Sequence, residues 1–209
     1  MRYQFMNSGR TARLLLACLA LALIQACSDA SSGLTGPDAS PPPSFAPVTT
    51  DSSSSAFPAT GPSFDPSSPS LDLMITKSML WAAAVKHNVN PYLVMGLAWH
   101  ESGWNESAIS SAGAVGIMQV MPATAASDGP ALLGRRVDLR DPQDNIDVGT
   151  AILKNNLDHY GGNLADALVA YYAGGASVTD WNHLRDDERR YVWDVYRDAI
   201  MFRDGKGPA

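Results

Sequence analysis

The 209-residue chain is 45% hydrophobic and 17% charged, with a formal net charge of -6. Its mean hydropathy of -0.09 excludes a protein with many membrane spans. The acidic balance disfavours nucleic acid as the main partner, because phosphate binding requires a surplus of Lys and Arg. Two cysteines cannot form a disulfide scaffold. At this length the chain holds one domain with appendages, since domains average roughly 100–200 residues.

Residues 1–26 have the pattern of an export signal. Three arginines and no acidic residue precede an apolar run over 14–26, which is too short to span ~30 Å of hydrocarbon at ~1.5 Å per residue. The sequence IQAC at 24–27 resembles the lipobox of bacterial lipoproteins, so we expect a lipid on Cys27. Cleavage without lipidation is the alternative. Ser28 is similar to the residue that permits export to the outer membrane.

Residues 28–70 are predicted to form a tether. Together with Cys27 they make up the segment 27–70, which precedes a domain at 71–209. The tether contains 13 Ser and 9 Pro, with no Lys or Arg. Such a segment cannot bury enough apolar surface to offset its ordering entropy, which indicates disorder. It would reach ~35 Å as a flexible coil and up to ~130 Å as polyproline II. We interpret this tether as a passive spacer, which lets a lipid-anchored domain act well away from the membrane.

Residues 71–209 are predicted to form one all-α domain. Asn90 followed by Pro91 is typical of a helix start, and Gly103 predicts that this helix ends near Ser102. No stretch alternates with period two for long enough to indicate a sheet. The other helices are predicted over 73–87, from 122 to about 127, from 142 to the glycine pair at 161–162, over 164–173 and over 187–203.

Glutamate is scarce, and Glu101, Glu106 and Glu188 are the only three in the chain. Glu101 lies near the carboxyl end of the helix that begins at Pro91, with apolar residues on its side. Desolvation and the negative helix end both favour the neutral carboxyl. A neutral carboxylic acid near pH 7 can protonate a glycosidic oxygen. A solvated surface glutamate is the alternative interpretation.

The histidines do not indicate a metal site. His100 and Glu101 begin like the zinc motif HExxH, but Trp104 occupies the place of the second histidine. We therefore expect His100 to be a helix-surface or supporting residue rather than a catalytic base. No metal and no organic cofactor is implied.

The segment NESAISSAGAVGIMQVMPATA at 105–125 is rich in glycine and alanine, which suits the floor of a groove. With AWHES before it, at 98–102, this segment resembles the signature of the soluble-type, goose-lysozyme-like lytic murein transglycosylases, or SLT domain. The resemblance extends over 81–202. Its further matches are DPQDNIDVGTAIL at 141–153, AYYAGG at 170–175 and RRYVWDV at 189–195.

The resemblance implies a lysozyme-like helical fold and an enzyme that acts on the glycan strands of peptidoglycan. It implies cleavage of the β-1,4 bond between N-acetylmuramic acid (MurNAc) and N-acetylglucosamine (GlcNAc), with formation of 1,6-anhydro-MurNAc. Glu101 would be the single general acid and base. This chemistry uses one carboxylate where most glycosidases use two.

The resemblance also implies residues that line the substrate cleft. By family position these are Ser110, Met118 and Gln119, and Tyr171 would orient Glu101 through a hydrogen bond. Two of these residues have structural alternatives. Ser110 could be a turn residue, and Met118 could belong to the core.

Two positions depart from the family pattern. Tyr172 stands where the family has Asn, which replaces an amide that contacts sugar with a bulkier phenol. Asp187 stands where the family often has a cleft-lining Glu, and Glu188 is adjacent, so either carboxylate could face substrate. Both Tyr172 and Asp187 are expected at the substrate.

Three other functions remain open at this stage. The first is a hydrolytic lysozyme on the same fold, with Glu106 as the second carboxylate. The second is a peptidoglycan-binding lipoprotein without catalysis, for which Tyr172 is the only hint. The third is a subunit that clears wall for secretion or conjugation machinery. In each case we expect a lipid-anchored domain on the periplasmic face of the envelope, more specifically at the outer membrane.

Overall fold

The computed structural model describes residues 40–45 and 69–207. Over these residues the regular structure is helical and no strand forms beyond isolated bridges, which confirms the predicted all-α class. No helix in the described ranges is long and apolar enough to cross a membrane. The predicted signal and Cys27 lie outside the described ranges.

The helices are α1 (Pro69–Lys86), α2 (Pro91–Ser102), α3 (Pro122–Leu133), α4 (Pro142–His159), α5 (Leu164–Ala173) and α6 (Asp186–Arg203), with short 3-10 turns at Gly175–Ser177 and Trp181–His183.

Helix α2 has the bounds that its end signals predict. The Asn90 side chain accepts hydrogen bonds from the backbone N–H groups of Tyr92 and Leu93, at 3.0 and 3.4 Å. Gly103 ends the helix in the left-handed region at φ 62°. Side-chain capping at one end and an achiral residue at the other satisfy the unpaired backbone groups of a helix.

Helix α3 is longer than predicted. It continues beyond residue 127 to Leu133 and ends at Gly134, which has a φ of 68°. The glycine in its last turns, Gly129, is buried against Val137 and the carbonyl of Arg135. Tertiary packing therefore overrides the weak intrinsic helix preference of glycine, a contribution that local sequence does not contain.

Helices α2 and α6 cross in very close contact. A Cβ added to Gly96 would lie 2.7 Å from the Cα of Ala199, so only glycine fits at this point of α2. Near the crossing, the rings of Trp104 and Phe202 stack at 4.8 Å, and the Trp104 indole donates to the carbonyl of Met95 at 3.1 Å. The crossing brings the carboxyl end of α2 beside the first turns of α6.

A buried carboxylate joins α1, α4 and the segment before α4. The Asp147 side chain is 5% exposed and accepts from Lys86 and His87, both at 2.7 Å, and from Arg135 at 3.0 Å. Burial alone would raise the pKa of Asp147, but the bonds from Lys86 and His87 outweigh it and lower the pKa. The charge is thus compensated where it is desolvated, as buried ions require.

Residues 40–45, within the predicted tether, lie against the domain. Pro42 is buried, and the ring of Phe45 lies 5.3 Å from that of Tyr196 on α6. The Ser44 hydroxyl donates to the carbonyl of Gly162 at 2.9 Å. Ser44 and Phe45 also line a pocket with the α4–α5 turn at Gly162 and the start of α2 at Asn90.

The close contact of α2 with α6 predicts that one substitution changes the free energy of unfolding in the direction opposite to that expected from helix propensity. Helix propensity alone would make Gly96→Ala stabilising by ~1 kcal/mol. Overlap with the Ala199 backbone should instead lower the free energy of unfolding by about 1–3 kcal/mol. Urea denaturation of the chain from residue 28 measures this difference. A stabilised Gly96→Ala variant would show that the two helices are free to separate.

Candidate active site

The loop between α2 and α3 is held in place by an asparagine of α4. Asn145 is 1% exposed. Its side-chain oxygen accepts from the Met118 N–H at 2.8 Å, and its nitrogen donates to the carbonyls of Val115 and Leu139 at 2.8 and 3.1 Å. A single buried amide therefore satisfies three backbone groups that lie outside the helices.

Two predicted cleft residues belong to the internal bonding of this loop. The Gln119 amide nitrogen donates to the carbonyls of Gly116 and Ala108, at 2.8 and 3.2 Å. The Ser110 hydroxyl accepts from the N–H of Ala114 at 3.0 Å, which is the turn role left open above. Both side chains remain partly exposed at the loop surface.

Glu101 lies at the carboxyl end of α2 and is partly buried. Its carboxylate accepts a hydrogen bond from the Tyr191 hydroxyl of α6. Burial raises the pKa of Glu101 from 4.5 to about 7, although the Tyr191 hydrogen bond and the nearby His100 lower it in part. Near neutral pH this carboxyl can therefore both give and take a proton, as an acid–base catalyst must.

The tyrosine that binds Glu101 is not the one that the resemblance implies. The Tyr171 hydroxyl donates to the Met118 carbonyl at 2.9 Å instead. Burial and then the charge of Glu101 raise the pKa of Tyr171 well above its usual value. The bond to Glu101 comes from Tyr191, which is 6% exposed and which sequence reasoning missed. The only sequence signal for Tyr191 was its match to the family's terminal Tyr-Val helix, and a tyrosine in that pattern is typical of a core residue.

Met118 is a core residue rather than a lining residue of the cleft. Its side chain is fully buried, and it fills the space that Gly149 leaves on α4, where an added Cβ would lie 2.6 Å from the Met118 Cβ. The predicted substrate contact of Met118 is thereby corrected. Its backbone carbonyl, which accepts from Tyr171, is the group that joins the site.

Tyr172 and Asp187, the two departures from the family pattern, lie next to each other. The ring of Tyr172 stacks on Tyr191 at a centroid distance of 4.5 Å and an angle of 21°. The Tyr172 hydroxyl lies 3.4 Å from Asp187, which also accepts from Arg185 at 3.1 Å. Glu188 is instead 2% exposed and accepts from the backbone N–H of Arg185 at 2.9 Å. Asp187 is thus the carboxylate on the side of Tyr172.

His100 supports the site through a ring contact with Tyr191, the hydrogen-bond partner of Glu101. Its ring meets Tyr191 edge-on at 5.0 Å, and its Nδ1 lies 3.5 Å from Asp198. Within the described residues, no group of three His, Cys, Asp or Glu side chains is arranged to hold a metal ion. Glu106, beyond the end of α2, is exposed.

The chain belongs to the transglycosylase SLT domain family. The family model matches residues 78–193, which is more than half of the chain. A transglycosylase of Enterobacteria phage PRD1 is 42% identical over 127 residues, covering 61% of this chain and 44% of that protein. The soluble lytic murein transglycosylase of Escherichia coli K12 is 36% identical over 120 residues, covering 54% of this chain and 18% of that protein.

A solved structure shows the same fold. The lytic transglycosylase Slt from Pseudomonas aeruginosa, as an inactive mutant, superimposes with a TM-score of 0.58 at 25% identity and covers 65% of this chain. This likeness confirms the predicted lysozyme-like helical fold. The present chain spans 25% of that structure's chain and less than half the length of the relatives above.

The raised pKa of Glu101 predicts a pH-dependent effect on stability. Between 4.5 and about 7 the folded chain binds more protons at this site than the unfolded chain, so its contribution to stability falls as pH rises through that window. Glu101→Gln should therefore raise the free energy of unfolding by about 3 kcal/mol at pH 8 and leave it nearly unchanged at pH 4.

Urea denaturation at both pH values measures this effect. Glu106→Gln, at an exposed glutamate, is the matched control for removing one charge. Equal stability of Glu101→Gln and the parent chain at pH 8 would contradict a desolvated carboxyl at position 101.

Proposed function

We propose that the domain is a peptidoglycan lytic transglycosylase that cleaves the β-1,4 MurNAc–GlcNAc bond and forms 1,6-anhydro-MurNAc. The observation that carries this proposal is the carboxyl of Glu101, which burial poises at a pKa of about 7 beside a single tyrosine donor. Membership of the SLT family and relatives named as murein transglycosylases support the substrate class.

One carboxyl can perform both proton transfers. Protonated Glu101 donates its proton to the glycosidic oxygen, and the bond from that oxygen to C1 of MurNAc breaks. The resulting carboxylate takes the proton of the C6 hydroxyl of the same sugar, whose oxygen forms the new bond to C1. Glu101 returns to its protonated form and no water is consumed. The substrate's N-acetyl group is expected to shield the developing cation.

The surrounding residues have separate roles in this proposal. Tyr191 orients the Glu101 carboxyl, and Tyr171 fixes the loop through the Met118 carbonyl. The substrate contacts that we propose are the partly exposed polar side chains around them: Ser110, Gln119, Tyr171 and Asp187.

The proposal predicts that release of muropeptides from purified sacculi depends on one glutamate. With the chain from residue 28, Glu101→Gln should lower the rate of release by ~100-fold or more, since it removes the proton donor. Glu106→Gln should retain the parent rate, because Glu106 is exposed. Chromatography of the soluble fragments measures both. An active Glu101→Gln variant would overturn the assignment, and a rate lost in both variants would favour the lysozyme alternative with two carboxylates.

We further propose that the domain at 71–209 works in the cell envelope, attached through the segment 27–70 and a lipid on Cys27. Relatives include a membrane-bound lytic murein transglycosylase C of Serratia proteamaculans, 34% identical over 109 residues. Envelope or secretion machinery would be further partners. Incorporation of labelled palmitate that is lost in Cys27→Ser is the expected result, and equal labelling of both chains would contradict the anchor.

A further inference from the structure

Tyr172 occupies a place that an asparagine could not fill in the same way. Its ring lies nearly parallel to that of Tyr191, with centroids 4.5 Å apart, which is the offset stacked geometry that aromatic pairs prefer. Its hydroxyl faces Asp187 at 3.4 Å. A planar amide has too little surface to cover a phenol ring, so an asparagine at this position could not make the same stacking contact.

The position of the Tyr191 ring is determined by its neighbours. Tyr172 on α5 covers one face of it, and His100 on α2 meets it edge-on at 5.0 Å. Its hydroxyl is then directed at the Glu101 carboxylate. Because Tyr191 is 6% exposed, the ring has little freedom as long as both neighbours stay in place. Loss of Tyr172 would open one face.

Tyr172 is itself held from the start of α6. Arg185 donates to Asp187 at 3.1 Å, and this ion pair keeps the pKa of Asp187 low although burial opposes it. Asp187 is therefore a fixed, ionised acceptor for the Tyr172 hydroxyl. Arg185 in turn is bound by the buried Glu188 at 2.9 Å.

We propose that Tyr172 is a positioning residue, which acts through Tyr191 by stacking on its ring and so keeps the Tyr191 hydroxyl on Glu101. The catalytic consequence rests on the proposed function, whereas the geometric consequence does not. The groups that face this assembly are His100 from α2, Tyr171 from α5, and Asp187, Glu188 and Asp198 from α6, with Arg185 at the α6 start.

The proposal predicts the direction in which the pKa of Glu101 shifts when Tyr172 is replaced. The Tyr191 hydrogen bond lowers the pKa of Glu101 against the effect of burial. If the Tyr191 ring loses its stacking partner, that bond weakens and the Glu101 pKa rises further. A side chain that merely contacted substrate would leave the pKa of Glu101 unchanged in the absence of substrate.

The chain itself provides the readout. It contains only three glutamates, so labelling with [13Cδ]glutamate gives three carboxyl signals, and Glu101→Gln identifies the one of interest. We expect Tyr172→Phe, which retains the ring, to titrate like the parent chain. Tyr172→Asn and Tyr172→Leu, which remove the ring, should raise the Glu101 midpoint by about half a unit or more.

A double substitution tests whether the effect passes through Tyr191. In a Tyr191→Phe background, which lacks the hydroxyl, Tyr172→Asn should cause no further shift of the Glu101 midpoint. An additional shift in that background, or an unshifted midpoint in Tyr172→Asn and Tyr172→Leu alone, would overturn the proposal. A shift in Tyr172→Phe as large as in Tyr172→Asn would overturn the role of stacking.

Rates on sacculi separate this proposal from the proposed function. Tyr172→Asn should lower kcat more than it raises KM, and Tyr172→Phe should restore kcat, as a positioning role requires. A change confined to KM would identify a substrate contact and contradict positioning. If the parent chain itself releases no muropeptides, the proposed function fails while the titration results still decide the role of Tyr172.

Discussion

The contact of α2 with α6 is the constraint on which the site depends. Without a side chain at Gly96, the backbone of α2 lies directly on Ala199 of α6, and the end of α2 comes under Tyr191. Glu101 thereby loses water and gains a single neutral donor. Desolvation is the larger effect, so the pKa of Glu101 rises to about 7. A loosely packed helix pair would leave the same carboxyl hydrated and ionised.

The loop after α2 forms the other half of the site, and it is organised before any substrate arrives. The buried amide of Asn145 holds the backbone near Met118, whose carbonyl accepts from Tyr171. Gln119 uses its amide nitrogen to brace the same loop. Groups that are already bonded do not have to reorganise during a reaction, which is the condition for electrostatic preorganisation.

Local sequence signals predicted the elements whose ends they specify. Asn90 and Gly103 fixed both ends of α2, and the desolvation argument applied to Glu101 because its apolar neighbours lie on the same helix. Tyr191 could not be paired with Glu101 in this way, because 90 residues separate the two and only the α2–α6 crossing joins them. The packing of Phe45 on Tyr196 is equally long-range, and the composition of its segment predicted only disorder.

The central claim is our proposal that one carboxyl, that of Glu101, gives a proton to the glycosidic oxygen and then takes the proton of the MurNAc C6 hydroxyl. Mass spectrometry of muropeptides released in water enriched in 18O tests it most directly, because hydrolysis and intramolecular attack use different oxygens. We expect fragments one water lighter than reducing muropeptides and without 18O at the new end. Fragments of full mass that carry one 18O atom would contradict the claim, since they would require a second group that activates water.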